Sequence, residues 1–113
     1  MTKTFFREIF GDSPEVKVLD FLISFQFYDY SLTEIAKNSG VSYSSLQIIW
    51  PRFVKRDFVK KTRRVGKSDM FSLNRDNLAI RQLITWELNL LKQESAPKLV
   101  IADSKKTYKR SKN

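Results

Sequence analysis

The chain has no cysteine and no histidine. Without cysteine there is no disulfide framework, no thiolate metal site and no cysteine nucleophile. Without histidine the commonest metal ligand and the commonest general base are gone as well. Its three glycines stand apart at positions 11, 40 and 66, so no glycine-rich loop can cradle a nucleotide. Glu87 and Glu94 lie seven residues apart among leucines, with no partner for acid–base work, and read as solvated surface. Neither an enzyme nor a cofactor or metal is expected. Long apolar runs are missing too. The densest, Val18 to Tyr28, carries Asp20 and falls short of the ~20 residues that span a bilayer. Lys3, Arg7 and Glu8 interrupt the N-terminus where a signal peptide would be apolar. The expectation is a cytoplasmic, nucleoid-associated protein without membrane contact.

What is present is a small globular domain. The chain has 113 residues, 42% apolar and 29% charged, with nine Phe, four Tyr and two Trp. That is enough for one hydrophobic core and too apolar for disorder. The net charge of +9 is unevenly spread. Residues 55–75 hold eight bases against Asp57 and Asp69, and residues 98–113 hold six against Asp103. The rest of the chain is slightly acidic. Two basic patches on a balanced body suit a polyanion, because clustered Lys and Arg release the counterions condensed on a phosphate backbone.

The pattern along the chain predicts a short helix over residues 3–10, closed by Gly11. A second helix starts at Pro14 behind a Ser13 cap and runs to about Gln26, with Val16, Leu19, Leu22, Ile23 and Phe27 as its apolar stripe. FYDYS turns, and a third helix ends at Gly40. A fourth, capped by Ser42, reaches toward Asp57 or stops near Trp50, because Pro51 interrupts it. Two antiparallel strands follow, 58–64 and 70–74, around a turn at Gly66. The last helix covers about residues 76–93, capped by Asp76 or Asn77.

Four helices, a hairpin and a helix is the order of an α+β winged helix-turn-helix domain, over residues 1–94, with a basic tail over 95–113. Local spacing supports it. Ala36 is small where the next helix must cross, and Gly40 can take the left-handed turn between two helices. FGDSPEVKVLDFL, LTEIAKNSGVSYSSL and FVKKTRRVGKSDMFSLN together resemble the archaeal winged-helix regulators, related broadly to the ArsR and MarR groups. The resemblance covers about residues 5–92. It implies a winged-helix DNA-binding fold, a dimer and a role in transcription, here as a repressor. The chain departs from it in having Asp57 where such proteins end the recognition helix with Gly. It also lacks the Cys and His of metal-sensing members.

In this frame Ser42, Tyr43, Ser44, Ser45, Gln47, Ile48 and Arg52 are the candidate DNA-reading residues of the recognition helix. Pro51 follows the reading surface on the same outward side. Gln47 can pair with adenine and Ile48 can pack on thymine methyls, while the first two turns hold no arginine for guanine. A·T-rich sites are therefore expected. The candidate wing comprises Lys61, Arg63, Arg64, Lys67 and Ser68 around Gly66, with Lys60 and Lys61 on opposite faces of the strand. In the last helix Ile80, Leu83, Ile84 and Leu91 form one stripe. Leu78, Leu83, Trp86 and Leu90 are the candidate dimer contacts, unless the N-terminal helix, with Phe5 and Phe6, covers that face.

The expected partners are double-stranded DNA and a second copy of the chain; a small-molecule effector is unknown. The alternatives are an architectural, centromere- or replication-associated DNA-binding protein, or a winged-helix module for RNA or protein.

Overall fold

Every helix of this computed structural model, which describes residues 4–95, begins at a polar side chain that accepts a backbone N–H of its first turn. Thr4 caps α1 (Phe5–Phe10), Ser13 caps α2 (Pro14–Ser24), Ser31 caps α3 (Leu32–Ser39) and Ser42 caps α4 (Tyr43–Lys55). Asn77 Oδ1 accepts from the Ile80 amide at 3.1 Å and starts α5 (Leu78–Ser95). Each cap satisfies a donor that the helix itself cannot, at about 1 kcal/mol apiece. Ser31 also forms a full capping box, its own amide donating to Glu34 Oε1 at 2.8 Å. The predicted helices are all present. Apart from Ser95, which closes α5, the basic tail lies outside the described residues.

Between α4 and α5 run β1 (Val59–Val65) and β2 (Ser68–Leu73), paired antiparallel. Gly66, at φ +62°, supplies the left-handed residue of their two-residue turn. Tyr30 adds a single bridge to the outer edge of β2, exchanging both backbone hydrogen bonds with Phe71 at 2.8 Å. This is a third, one-residue strand where the sequence suggested only a turn. The order is that of a winged helix-turn-helix.

The core forms around α2, buried on several sides. Val18, Phe21, Leu22 and Ile23 meet Phe6 of α1, Ile35 and Ala36 of α3, Leu46, Ile49, Trp50 and Phe53 of α4, and Ile80 of α5. Val59 and Leu73, directly opposite in the hairpin, anchor the wing to it. The expected stripe on α2 is displaced. Val16 and Leu19 are half-buried, and α2 ends at Ser24, so Phe27 lies beyond the helix and is 71% exposed.

α4 is continuous through Pro51, so it does not stop near Trp50. The proline sits on the exposed side, and the carbonyl left without its N–H partner is that of Gln47, also exposed. Solvent can satisfy that oxygen, which offsets part of the usual penalty. Asp57 takes the left-handed conformation, φ +59°, where the resembling proteins carry a glycine. Its neighbours explain how. Asn74 Nδ2 donates to the Asp57 carbonyl at 2.9 Å, and Asn77 Nδ2 donates to the Arg56 and Asp57 carbonyls at 3.1 Å. Two asparagines thus hold the strained corner and tie the end of α4 to the start of α5.

Candidate nucleic-acid interface

The turn between α3 and α4 sets the presentation of α4. Gly40, at φ +77° and ψ +28°, donates its N–H to the carbonyls of Ala36 and Lys37, and the Val41 amide also returns to Ala36. Ala36 itself is buried. The chain reverses tightly here, and α4 leaves with Leu46, Ile49, Trp50 and Phe53 inward. Its outward row is then Tyr43, Ser44, Gln47, Ile48 and Pro51, all exposed, with Ile48 at 72%. Among the described residues, the side chains of Tyr43, Gln47 and Ile48 make no hydrogen bond or ion pair. Ser42 and Ser45 are engaged instead. The Ser42 hydroxyl accepts the Ser45 amide at 3.1 Å and donates to the Ser45 hydroxyl at 2.9 Å, with Ser44 Oγ at 3.2 Å. They act first as a cap.

Arg52 stands apart from that row. Its Nη2 donates to Glu15 Oε2 of α2 at 2.8 Å. A backbone hydrogen bond at the start of α2, followed by the Arg52 guanidinium, holds the Glu15 carboxyl below its ordinary range. The pair binds α4 to α2, and Arg52 points its charge there.

A β-bulge divides the bases of the wing. The pairing runs Lys61↔Phe71, then Arg63↔Met70, which leaves Thr62 as the extra residue. On the side turned toward α4, Lys61 Nζ lies 3.3 Å and Arg64 Nε 3.9 Å from Asp69 Oδ1. On the other side, Arg63 donates twice to Asp29, Nε to Oδ2 at 2.9 Å and Nη2 to Oδ1 at 3.1 Å. The Thr62 hydroxyl donates to the same carboxylate. These bonds, from Arg63 first and Thr62 second, pull the Asp29 carboxyl down to about 2. Arg63 is therefore a clamp to the body, away from the tip. Lys67 and Ser68 occupy the tip itself and are exposed. Lys60 faces the side opposite Lys61, as the alternation required.

The wing tip and the start of α4 share one cleft of about 240 Å³. Thr33 at the start of α3, Tyr43 at the start of α4, and Lys67, Ser68 and Asp69 of the wing line it. Asp29, Tyr30 and Thr33 escaped the reading of the sequence. A lone aspartate among aromatics in FYDYS was the available signal, but the bulge that brings Arg63 to it leaves no trace in residue types.

On the far side, α5 departs from expectation. Leu83 packs on the core and Leu91 is 42% exposed. Leu78 is exposed, about 80–120° around the helix from Trp86 and Leu90, so these residues do not form one stripe. Helix α1 does dock here, with the Phe10 ring 5.4 Å from Trp86. It covers Trp86 only in part and adds exposed Ile9 and Phe10 to the surface. Burial pushes the carboxyls of Asp20 and Glu87 up, and the charge of Asp20 adds to the rise at Glu87. Thr4 Oγ1 donates to Asp20 at 3.0 Å and partly offsets the rise. Among the described residues no helix is long and apolar enough to cross a membrane.

No family model matches the chain, and no curated protein matches it. Solved structures do. The chain is similar to the adhesin competence repressor AdcR from Streptococcus pyogenes, with a TM-score of 0.50 and 20% identity, over 78% of this chain and 73% of that one. It is also matched with Lactococcus lactis ZitR in a C30AH42A mutant form, at a TM-score of 0.47 and 11% identity, over 79% and 67%. The first of these likenesses carries the fold, an α+β winged helix. AdcR comes from a bacterium, so the archaeal part of the resemblance finds no support in it.

Proposed function

We propose that the chain is a dimeric, sequence-specific regulator of transcription that binds duplex DNA, with α4 in the major groove and the wing tip at the neighbouring minor groove. The observation that carries this reading is the shared cleft. An exposed and unpaired row on the first two turns of α4 lies beside a basic hairpin tip on one side of the domain. In helix-turn-helix proteins the N-terminal part of the second helix meets base edges. Gln47 and Ile48 supply an amide for adenine and a methyl-packing surface for thymine, and Tyr43 and Ser44 reach sugar or phosphate. Lys67 and Ser68 lie at the phosphates. Arg63, Lys61 and Arg64 hold their carboxylates at rest and contribute less. The likeness to a protein described as a repressor favours repression. The basic composition, pI ≈ 9.9, suits the partner.

The dimer forms through α1 and the second half of α5. Ile9, Phe10 and Trp86 remain exposed there, which is costly in a monomer and ordinary in an interface. Two-fold pairing presents two recognition helices roughly 34 Å apart, one turn of DNA. Replacing Trp86 and Leu90 by Glu yields a monomer in sedimentation; a variant that stays dimeric excludes this interface.

The binding test is a salt series on duplex DNA. Affinity falls steeply with salt, and Lys67→Ala lessens the slope by about 0.9, the share of one neutralised phosphate. Feeble binding that Lys67→Ala leaves untouched would overturn the reading.

A further inference from the structure

The face of the wing turned away from α4 bears a second feature that duplex reading does not use. Between the segment joining α2 to α3 and the root of the hairpin lies an open groove of about 620 Å³. Its volume falls within the ~300–1,000 Å³ usual for small-ligand sites. Phe27 and Tyr28 form one wall and are 71% and 68% exposed. Lys60, Ser72 and Arg75 form much of the rest. Large aromatic rings are seldom left open to water without a partner for their faces.

The charges at the groove are as telling. The Arg75 guanidinium stands 4.6 Å from the centre of the Phe27 ring. Among the described residues neither Arg75 nor Lys60 has a carboxylate partner, unlike Lys61, Arg63 and Arg64. Two carboxylates also line the groove. Asp29 is already saturated by Arg63 and Thr62. Asp76 pairs with neither base. The groove therefore offers the exposed Tyr28 ring, the Phe27 ring with Arg75 over one of its faces, and two cations without a carboxylate partner, beside the unpaired Asp76.

We propose that this groove binds a nucleotide unit of single-stranded nucleic acid, its base stacked on Tyr28 and Phe27 and its phosphate held by Lys60 and Arg75. Stacking and backbone charge are the two terms by which single strands are bound without sequence reading. A duplex keeps its bases stacked on each other and cannot use the aromatic wall. The groove is thus distinct from the α4 surface, and the proposal stands or falls independently of the duplex reading.

The test compares the full chain with Phe27→Ala/Tyr28→Ala and with Lys60→Gln. The probes are a labelled oligothymidylate of about ten nucleotides, the matching oligouridylate and a duplex of equal length, measured at several salt concentrations. Both rings are largely exposed, so the double variant keeps its fold, and an unchanged melting temperature verifies this. The expected result is a loss of about tenfold or more in single-strand affinity for the double variant, with duplex affinity unchanged. Lys60→Gln gives a smaller loss and a shallower salt dependence. Equal single-strand affinity in wild type and double variant would overturn the proposal, since charge alone would then account for binding. An equal loss on duplex and single strand would overturn it too, by assigning the rings to the duplex surface. Displacement of the oligomer by uridine monophosphate at similar concentration would assign the groove to a free nucleotide and likewise overturn the strand form.

Discussion

The first two turns of α4 and the wing both present polar residues to the same side of the domain, yet they hold them differently. Among the described residues, the exposed row of α4 makes no hydrogen bond or ion pair beyond its own helix and cap. Tyr43, Gln47 and Ile48 are positioned only by the helix beneath them, which Ser42 caps and Leu46, Ile49 and Trp50 seat in the core. On the wing most bases already have a carboxylate, Asp69 for Lys61 and Arg64, Asp29 for Arg63. A rigid helix can leave its reading groups free because its backbone fixes where they point. A two-stranded hairpin has no such support, and its stiffness comes from the bulge, the Asp29 clamp and the Tyr30 bridge. In the proposed function the helix discriminates and the wing holds.

The largest effect is expected from Gln47→Ala. It is expected to cost about 1–3 kcal/mol on the preferred site and almost nothing on unrelated duplexes, as measured by competition binding. Equal losses on both would make α4 a mere phosphate contact. Lys67→Ala is expected to weaken all duplexes alike by a few-fold. A sequence-dependent loss would move discrimination to the wing.

Asp29→Asn probes the clamp. It frees the Arg63 guanidinium and loosens the wing, so non-specific affinity rises slightly with a steeper salt slope, by up to about 0.9, while the preference for the best site shrinks. No change in either would mean that the clamp is ornamental to binding. Acid gives the smallest effect. Asp29 has a carboxyl pulled below its ordinary 3.8 to about 2, so the clamp contributes at every pH above the ordinary value and is lost as pH falls through about 2. A carboxyl titration by NMR with its midpoint near 3.8 would show Asp29 unclamped. Glu87 runs the other way. Burial and Asp20 raise it, so its neutral form favours the fold at low pH and that contribution fades as pH rises through its folded value. Glu87→Gln should raise the melting temperature at neutral pH, with a gain that shrinks on acidification.

Much of this architecture was legible in residue types because it is local. Ser13-Pro14, Gly40 and Ser42 each announce a cap or a turn through their own chemistry, and all occur where expected. Gly66 announces the hairpin in the same way. What escaped depends on contacts distant in sequence. The bulge at Thr62, the pairing of Asp29 with a base 34 residues later and the strand bridge at Tyr30 have no local signature. Arg52 and Arg63 carry the right charge for DNA but are turned by Glu15 and Asp29, which only the folded chain reveals. In α5 periodicity alone cannot tell that the last turns leave the core, so it puts Leu91 inward and Leu78 with Trp86, whereas Leu91 and Leu78 are exposed.

Selection of bound sites from a random duplex pool, with the full chain at moderate salt, decides whether α4 reads sequence. Enrichment of A·T-rich sites is expected, because α4 presents Gln47 and Ile48 and no arginine on its first two turns, with two half-sites about one helical turn apart. Recovery of G·C-rich sites, or of a pool no different from the input, would contradict it.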